Sequence, residues 1–225
     1  EGTARIVEAL LGVAAILVVF ALAERLGRTL WSGRADDARP VAGGPGPSSA
    51  QAVGLIAAFG IAVYPPFIHS TGELMSEPPA ILTLPAAILA FLWAARIGDP
   101  EPGPSAPRSA SAWLVPGLLF GLTAMFRPEY LFVAGAFVVL AAIRLWTGGA
   151  RRPALAGTAV LLAAVVVTIL PWTIRNAVVL HRLVPISTGS GKALYVGTFL
   201  PADGEYQRVK ALLYERYEHK TLAPD

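Results

Sequence analysis

Apolar and polar residues fall in long alternating blocks along this chain. Six runs are almost wholly apolar: 6–23 (IVEALLGVAAILVVFALA), 48–68 (ending AFGIAVYPPFI), 78–95 (PPAILTLPAAILAFLWAA), 109–126 (ending LVPGLLFGLTAMF), 130–146 (opening YLFVAGAFVVLAAI) and 153–174 (PALAGTAVLLAAVVVTILPWTI). Crossing a bilayer takes about 20 mainly apolar residues, so each run predicts a membrane helix. The fold predicted is all-α, a polytopic transmembrane bundle over 1–174. Six buried helices of a water-soluble domain would leave too little polar surface to cover them. The stretches PVAGGPGPSS (40–49) and GDPEPGPSAPR (98–108) read as flexible connectors. Beyond 174 the pattern changes. Tyr206, Val209, Leu213 and Tyr217 recur at helical spacing among Glu205, Arg208, Lys210, Glu215 and Arg216. That spacing predicts an amphipathic helix near 204–221, within a segment 175–225 that lies on the membrane face or on a partner domain.

Composition strengthens the membrane reading: 55% of the 225 residues are hydrophobic, only 15% are charged, and mean hydropathy is +0.58. A soluble domain carries about a quarter charged residues. The net charge is only +3, with the arginines scattered between apolar runs, which excludes a nucleic-acid footprint. The chain has no Cys, removing disulfides, thiolate zinc sites and thiol nucleophiles together. It begins with Glu and turns apolar within six residues, so it reads as an internal piece of a longer protein, with any targeting signal expected upstream.

Basic residues orient the bundle. The connections 24–47, 96–108 and 144–152 carry Arg25, Arg28, Arg34, Arg39, Arg96, Arg108, Arg144, Arg151 and Arg152, whereas 69–77 and 127–129 carry only Arg127. By the positive-inside rule the first set is cytoplasmic. Alternation then places the start of the chain and the segment 175–225 outside the cell, with the bacterial plasma membrane as the expected location.

The chemically informative residues gather on the predicted outer side. They are His69, Glu73 and Glu77 in YPPFIHSTGELMSEPP (64–79), Arg127 and Glu129 in FRPEY (126–130), and Arg175 and Asn176 in PWTIRN (171–176). Ionisable groups at span ends are costly unless they meet a polar cavity, so their collection on one face points to a site. Each also has a plainer explanation. Arg127 and Glu129 flank a Pro in a tight turn, where interfacial snorkelling accounts for such a pair. Glu77 precedes Pro78 and suits a helix start, near the positive end of the dipole. His69 lacks a second His or a Cys nearby for a metal, Glu73 reads as a solvated loop acid, and Glu8 as an interfacial one. Trp93, Trp113, Trp146 and Trp172 read as belt anchors.

In order and local pattern these segments resemble the GT-C class of polytopic glycosyltransferases, in particular the family 39 protein mannosyltransferase and aminoarabinose-transferase-like group. The likeness runs through AERLGR, YPPFIHSTGELMSEPP, GLLFGLTAMFRPEYL and, most specifically, PWTIRNAVVLHRLVPISTGSGKALYVG. It implies transfer of a sugar from a polyprenyl-phosphate carrier to a glycan, lipid or protein acceptor on the outer face. Arg127 and Arg175 would then grip the lipid phosphate with planar donor forks. Glu129, Asn176, His69 and, in the tail, Lys192 complete the candidate substrate contacts. In the family the catalytic base lies in an outer loop preceding the span that 6–23 matches. Glu77 matches the second acidic position and would be a supporting acid, contacting the acceptor, a divalent ion or a basic partner. No metal is assigned. Two departures stand out: Gly189, Ser190, Gly191 and Lys192 replace an Asn- and Gly-bearing turn, and Tyr195, Val196, Gly197 and Thr198 replace a Leu-Tyr-Xaa-Gly-Asn ending.

Two other readings come from different classes. A secondary transporter or lipid flippase would also use intramembrane charges and Pro-broken helices, but with paired halves and charges at mid-depth. An assembly subunit without chemistry would make the outer cluster accidental.

Overall fold

The computed structural model describes residues 2–31, 49–72, 75–99, 108–147 and 151–187, together with Tyr195 and Thr198. The expected helix near 204–221, Lys192 and Glu73 lie outside the described residues. The chain forms α1 (Gly2–Trp31), α2 (Ser49–Ala62), α3 (Pro65–Gly72) and α4 (Glu77–Ala94), then a single 3-10 turn (Ala110–Trp113) leading into α5 (Leu114–Phe126), α6 (Tyr130–Thr147) and α7 (Arg151–Leu180). No strand occurs among the described residues.

All six apolar runs are helical, with bounds that depart from the expected ones for local reasons. The helix begun by the first run continues to Trp31, because AERLGR holds five good helix formers beside one Gly and Arg28 pairs with Glu24 one turn earlier at 2.8 Å. The second run breaks at Val63–Tyr64, where consecutive prolines follow, and α3 turns 58° away from α2. The last run does not stop at 174. Its helix passes through Pro171 to Leu180 and ends where His181 adopts a left-handed φ of 51°.

Among the described residues three helices have the length and apolarity to cross a membrane: Gly2–Leu30, Glu77–Ala94 and Leu155–Leu180. The bent α2–α3 pair makes a fourth if taken as one broken span, while Ala110–Phe126 and Tyr130–Arg144 are shorter. Large side chains such as Leu17, Ile56 and Phe132 are exposed, as helices surrounded by lipid require. The whole is compatible with an integral membrane protein.

Contacts fix the directions. Arg25 near the end of α1 donates to Ile97 just past the end of α4, so these two helices run parallel. Glycine permits the closest approach. A Cβ on Gly117 would lie 2.5 Å from that of Ala164, and one on Gly121 2.6 Å from that of Thr168. One turn along α5 therefore matches one turn along α7, and the two are parallel and in register. An aromatic cluster fills the interior: Phe91 meets Trp113 edge-on at 5.3 Å and Phe137 edge-on at 4.9 Å, and Phe120 lies 4.8 Å from Phe137. Trp113 is 1% exposed. It is a core residue and not a belt anchor, because the 3-10 turn rolls it inward beneath α4.

Candidate functional site

The two ends of the bundle carry different polar networks. At the end where α1 and α4 finish, Asp99 accepts from Arg25 and, at 3.5 Å, from Arg108. Arg25 also donates to the carbonyls of Ile97 at 2.7 Å and Leu92 at 3.4 Å. Arg108 donates to Trp93 O at 3.1 Å and stacks over the Trp93 ring at 4.3 Å. Gly98, at φ 71°, lets the chain pass so close that a Cβ would lie 2.7 Å from Arg25 O. Sequence reading treated these arginines as orientation signals and 98–108 as a connector; both edges of that connector are in fact tied down. Arg25, Arg108 and Asp99 are each held in this network, which is a clasp across α1 and α4, while Arg96 Nε beside it is buried without a hydrogen-bond partner.

The opposite end holds most of the candidate site. Arg127 follows α5 in extended conformation (φ −141°, ψ 108°), as a residue before Pro is driven to do. Its backbone N–H closes α5 on Thr123 O at 3.0 Å. The side chain can then reach across to the first turn of α4, where it donates to Glu77, and to Glu129 at 3.1 Å. Partial burial works against the Arg127 charge. The attraction and hydrogen bonds of Glu77, then of Glu129, outweigh it and hold the guanidinium pKa above its ordinary value. Arg127 is thus committed to two carboxylates, and Glu77 is held by a partner supplied from a different helix.

The register of α5 on α7 carries Arg127 to the level of Ile174 and Arg175, so the two arginines share one end of the bundle. Their contacts are separate. Arg175 lies 4.7 Å over the Trp172 ring and donates to Asn176 Oδ1 at 3.2 Å. Among the described residues no carboxylate pairs with it. Asn176 is 4% exposed; its amide nitrogen donates to Val184 O at 3.2 Å and Ile186 O at 3.1 Å, which makes it a structural link more than a ligand. Trp172 Nε1 donates to Ile186 O at 2.8 Å, and Thr173 Oγ1 to Pro185 O at 2.7 Å. Sequence reading took PWTIRN as a helix exit. Its Trp, Thr and Asn instead share one face of a continuing helix and bind the returning chain. Their spacing is the helical one, a signal masked by Pro171.

His69 lies exposed on α3, which rests on α1 through Phe67 and Thr71 beside Gly12. No group of three potential metal ligands occurs among the described residues. Glu8 has one carboxylate oxygen buried without a hydrogen-bond partner, a cost its sequence position did not announce.

An apolar groove of about 430 Å³ runs between α6 and α7. Leu131, Gly135 and Val138 form one wall and Leu162, Val166 and Leu170 the other, with Thr173 and Pro185 at one end. Arg175, two residues beyond Thr173, is at the same end of the bundle but on another face of α7, about 160° round the helix from Thr173. This end of the bundle therefore combines an exposed cation that no carboxylate pairs with among the described residues and a carboxylate clamped by Arg127, with an apolar groove on a neighbouring face of α7. No protein-family model matches the chain, and neither the curated proteins nor the solved structures give a match.

Proposed function

We propose that this chain belongs to a membrane glycosyltransferase that moves a sugar from a polyprenyl-phosphate carrier to an acceptor on the extracytoplasmic face of a bacterial plasma membrane. In this reading the six apolar runs each cross the bilayer, and the end bearing Glu77, Arg127 and Arg175 faces outward. The observation that carries it is Arg175, exposed near the end of α7 with no carboxylate pairing with it among the described residues, at the same end of the bundle as the Glu77–Arg127 pair. A long isoprenoid tail needs an apolar slot open to lipid, and its phosphate needs a donor fork at the boundary.

The chemistry follows from charge. As the anomeric carbon parts from the carrier, negative charge grows on the departing phosphate, and a guanidinium already oriented there stabilises it without reorganising. The acceptor hydroxyl gives its proton to a carboxylate base, a role not assigned to Glu77. Arg127 holds Glu77 across the α4–α5 gap, where it supports the acceptor as an acidic contact. The described charges lie near helix ends rather than at mid-depth, which favours the enzyme over a transporter.

The test is binding of farnesyl phosphate to the purified, nanodisc-reconstituted protein. Arg175→Ala should raise Kd about tenfold or more, and Arg175→Lys should recover only part of it, since Lys cannot offer a bidentate fork. Unchanged affinity in Arg175→Ala would remove the lipid-phosphate reading.

A further inference from the structure

We infer that the returning segment 181–187, fastened on α7 by Trp172, Thr173 and Asn176, is the device that positions Arg175 for its phosphate; this rests on the function proposed above. Trp172, Thr173 and Asn176 lie on one helical face, and their donors take three consecutive carbonyls, those of Val184, Pro185 and Ile186. The helix stops at His181, whose left-handed φ of 51° folds the chain back along its own helix.

Two of the three anchors also hold Arg175. The indole that donates to Ile186 presents its ring to the guanidinium. The amide whose nitrogen is spent on Val184 and Ile186 has only its oxygen left, and that oxygen accepts from Arg175. An exposed Arg would otherwise sample many rotamers; here its two contacts are as fixed as the loop that fixes them. The same loop also places Pro185 at the end of the apolar groove. Thr173 touches the loop through Pro185 and does not touch Arg175. It is a positioning residue, and substitution there reaches the guanidinium only through the loop.

That separation gives the experiment. Farnesyl phosphate is titrated into the reconstituted protein carrying Thr173→Val, Thr173→Ser, Arg175→Ala, and Thr173→Val with Arg175→Ala. Thr173→Val keeps the volume and loses the hydroxyl; it should raise Kd about fivefold, while Thr173→Ser stays near the parent. In the Arg175→Ala background Thr173→Val should add nothing, because the group it positions is gone; since Thr173 also lines the groove, binding of farnesol, which lacks the phosphate, should be the same with and without Thr173→Val. Trp172→Phe, which keeps a ring under Arg175 but not the Nε1 donor, should show the same dependence and serves if Thr173→Val does not fold. A loss equal with and without Arg175, or no loss in Thr173→Val, overturns the positioning role while leaving the lipid-phosphate reading intact. No loss in Arg175→Ala alone overturns both.

Discussion

Replacing Glu77 by Gln separates a functional acid from a helix-start acid. Glu77 opens α4 with Pro78 and Pro79 directly behind it, and Ser76 makes no side-chain cap. Two prolines remove two of the unpaired N–H groups a first turn normally exposes, and Ala80 N already donates to Ser76 O at 3.3 Å. Little is left for a capping carboxylate to satisfy, and the carboxylate is spent on Arg127 instead. The pair is about one-third exposed on both sides, 36% for Arg127 and 34% for Glu77, so solvent screening holds its contribution to at most about 1 kcal/mol. Gln keeps an oxygen for Arg127, and Glu129 remains beside the guanidinium. Thermal unfolding of Glu77→Gln in detergent should therefore move little. Sugar transfer from a polyprenyl-phosphate donor, measured in membranes at matched expression, should fall on the order of a hundredfold. Transfer close to that of the parent would refute the reasoning and leave Glu77 as a strut between α4 and the α5–α6 turn.

Two further outcomes test the frame that holds the site. Gly121→Ala places a methyl 2.6 Å from Thr168 Cβ, and pushing α5 off α7 should cost about 1–3 kcal/mol in detergent unfolding; an unchanged melting temperature would deny the close register that levels Arg127 with Arg175. Asp99→Asn removes the charge and one of the two oxygens that Arg25 and Arg108 share, arginines whose side chains are 12% and 30% exposed. It should cost about 2 kcal/mol after allowance for partial exposure, visibly more than Glu77→Gln; a smaller loss would show that the clasp does not hold α1 to α4.

The helices were legible because hydropathy alone marks a segment that must bury its own backbone bonds. Their ends were not, since hydropathy falls off before helicity does: Glu24, Arg25 and Arg28 are polar yet continue α1, and Pro171 looks like a stop yet lies inside α7. The sequence shows the site residues as types; their partners come from the fold. Nothing local links Glu77 to Arg127 fifty positions on; the antiparallel return of α5 beside α4 makes that pair. Arg127 and Asn176 were read as ligands because they are polar and lie at a span end. Their hydrogen bonds go to carboxylates and to carbonyls of the chain itself, whereas Arg175 pairs with no carboxylate among the described residues. Trp113 was misplaced for the opposite reason: an indole near a span end suits an interface, and only the 3-10 turn and Phe91 show it to be core.

The central claim is that the Arg175 end of the bundle faces outward and holds a polyprenyl phosphate, and single-cysteine labelling tests both halves at once in a chain that has no Cys of its own. Ser187, the last residue of the loop fastened on α7, and Ser109, just before the 3-10 turn at the other end, are both exposed. In intact cells an impermeant maleimide should label Ser187→Cys, more slowly when farnesyl phosphate is present, and should reach Ser109→Cys only after permeabilisation. Labelling of Ser109→Cys and not Ser187→Cys from outside, or labelling of Ser187→Cys at a rate farnesyl phosphate does not change, would contradict it.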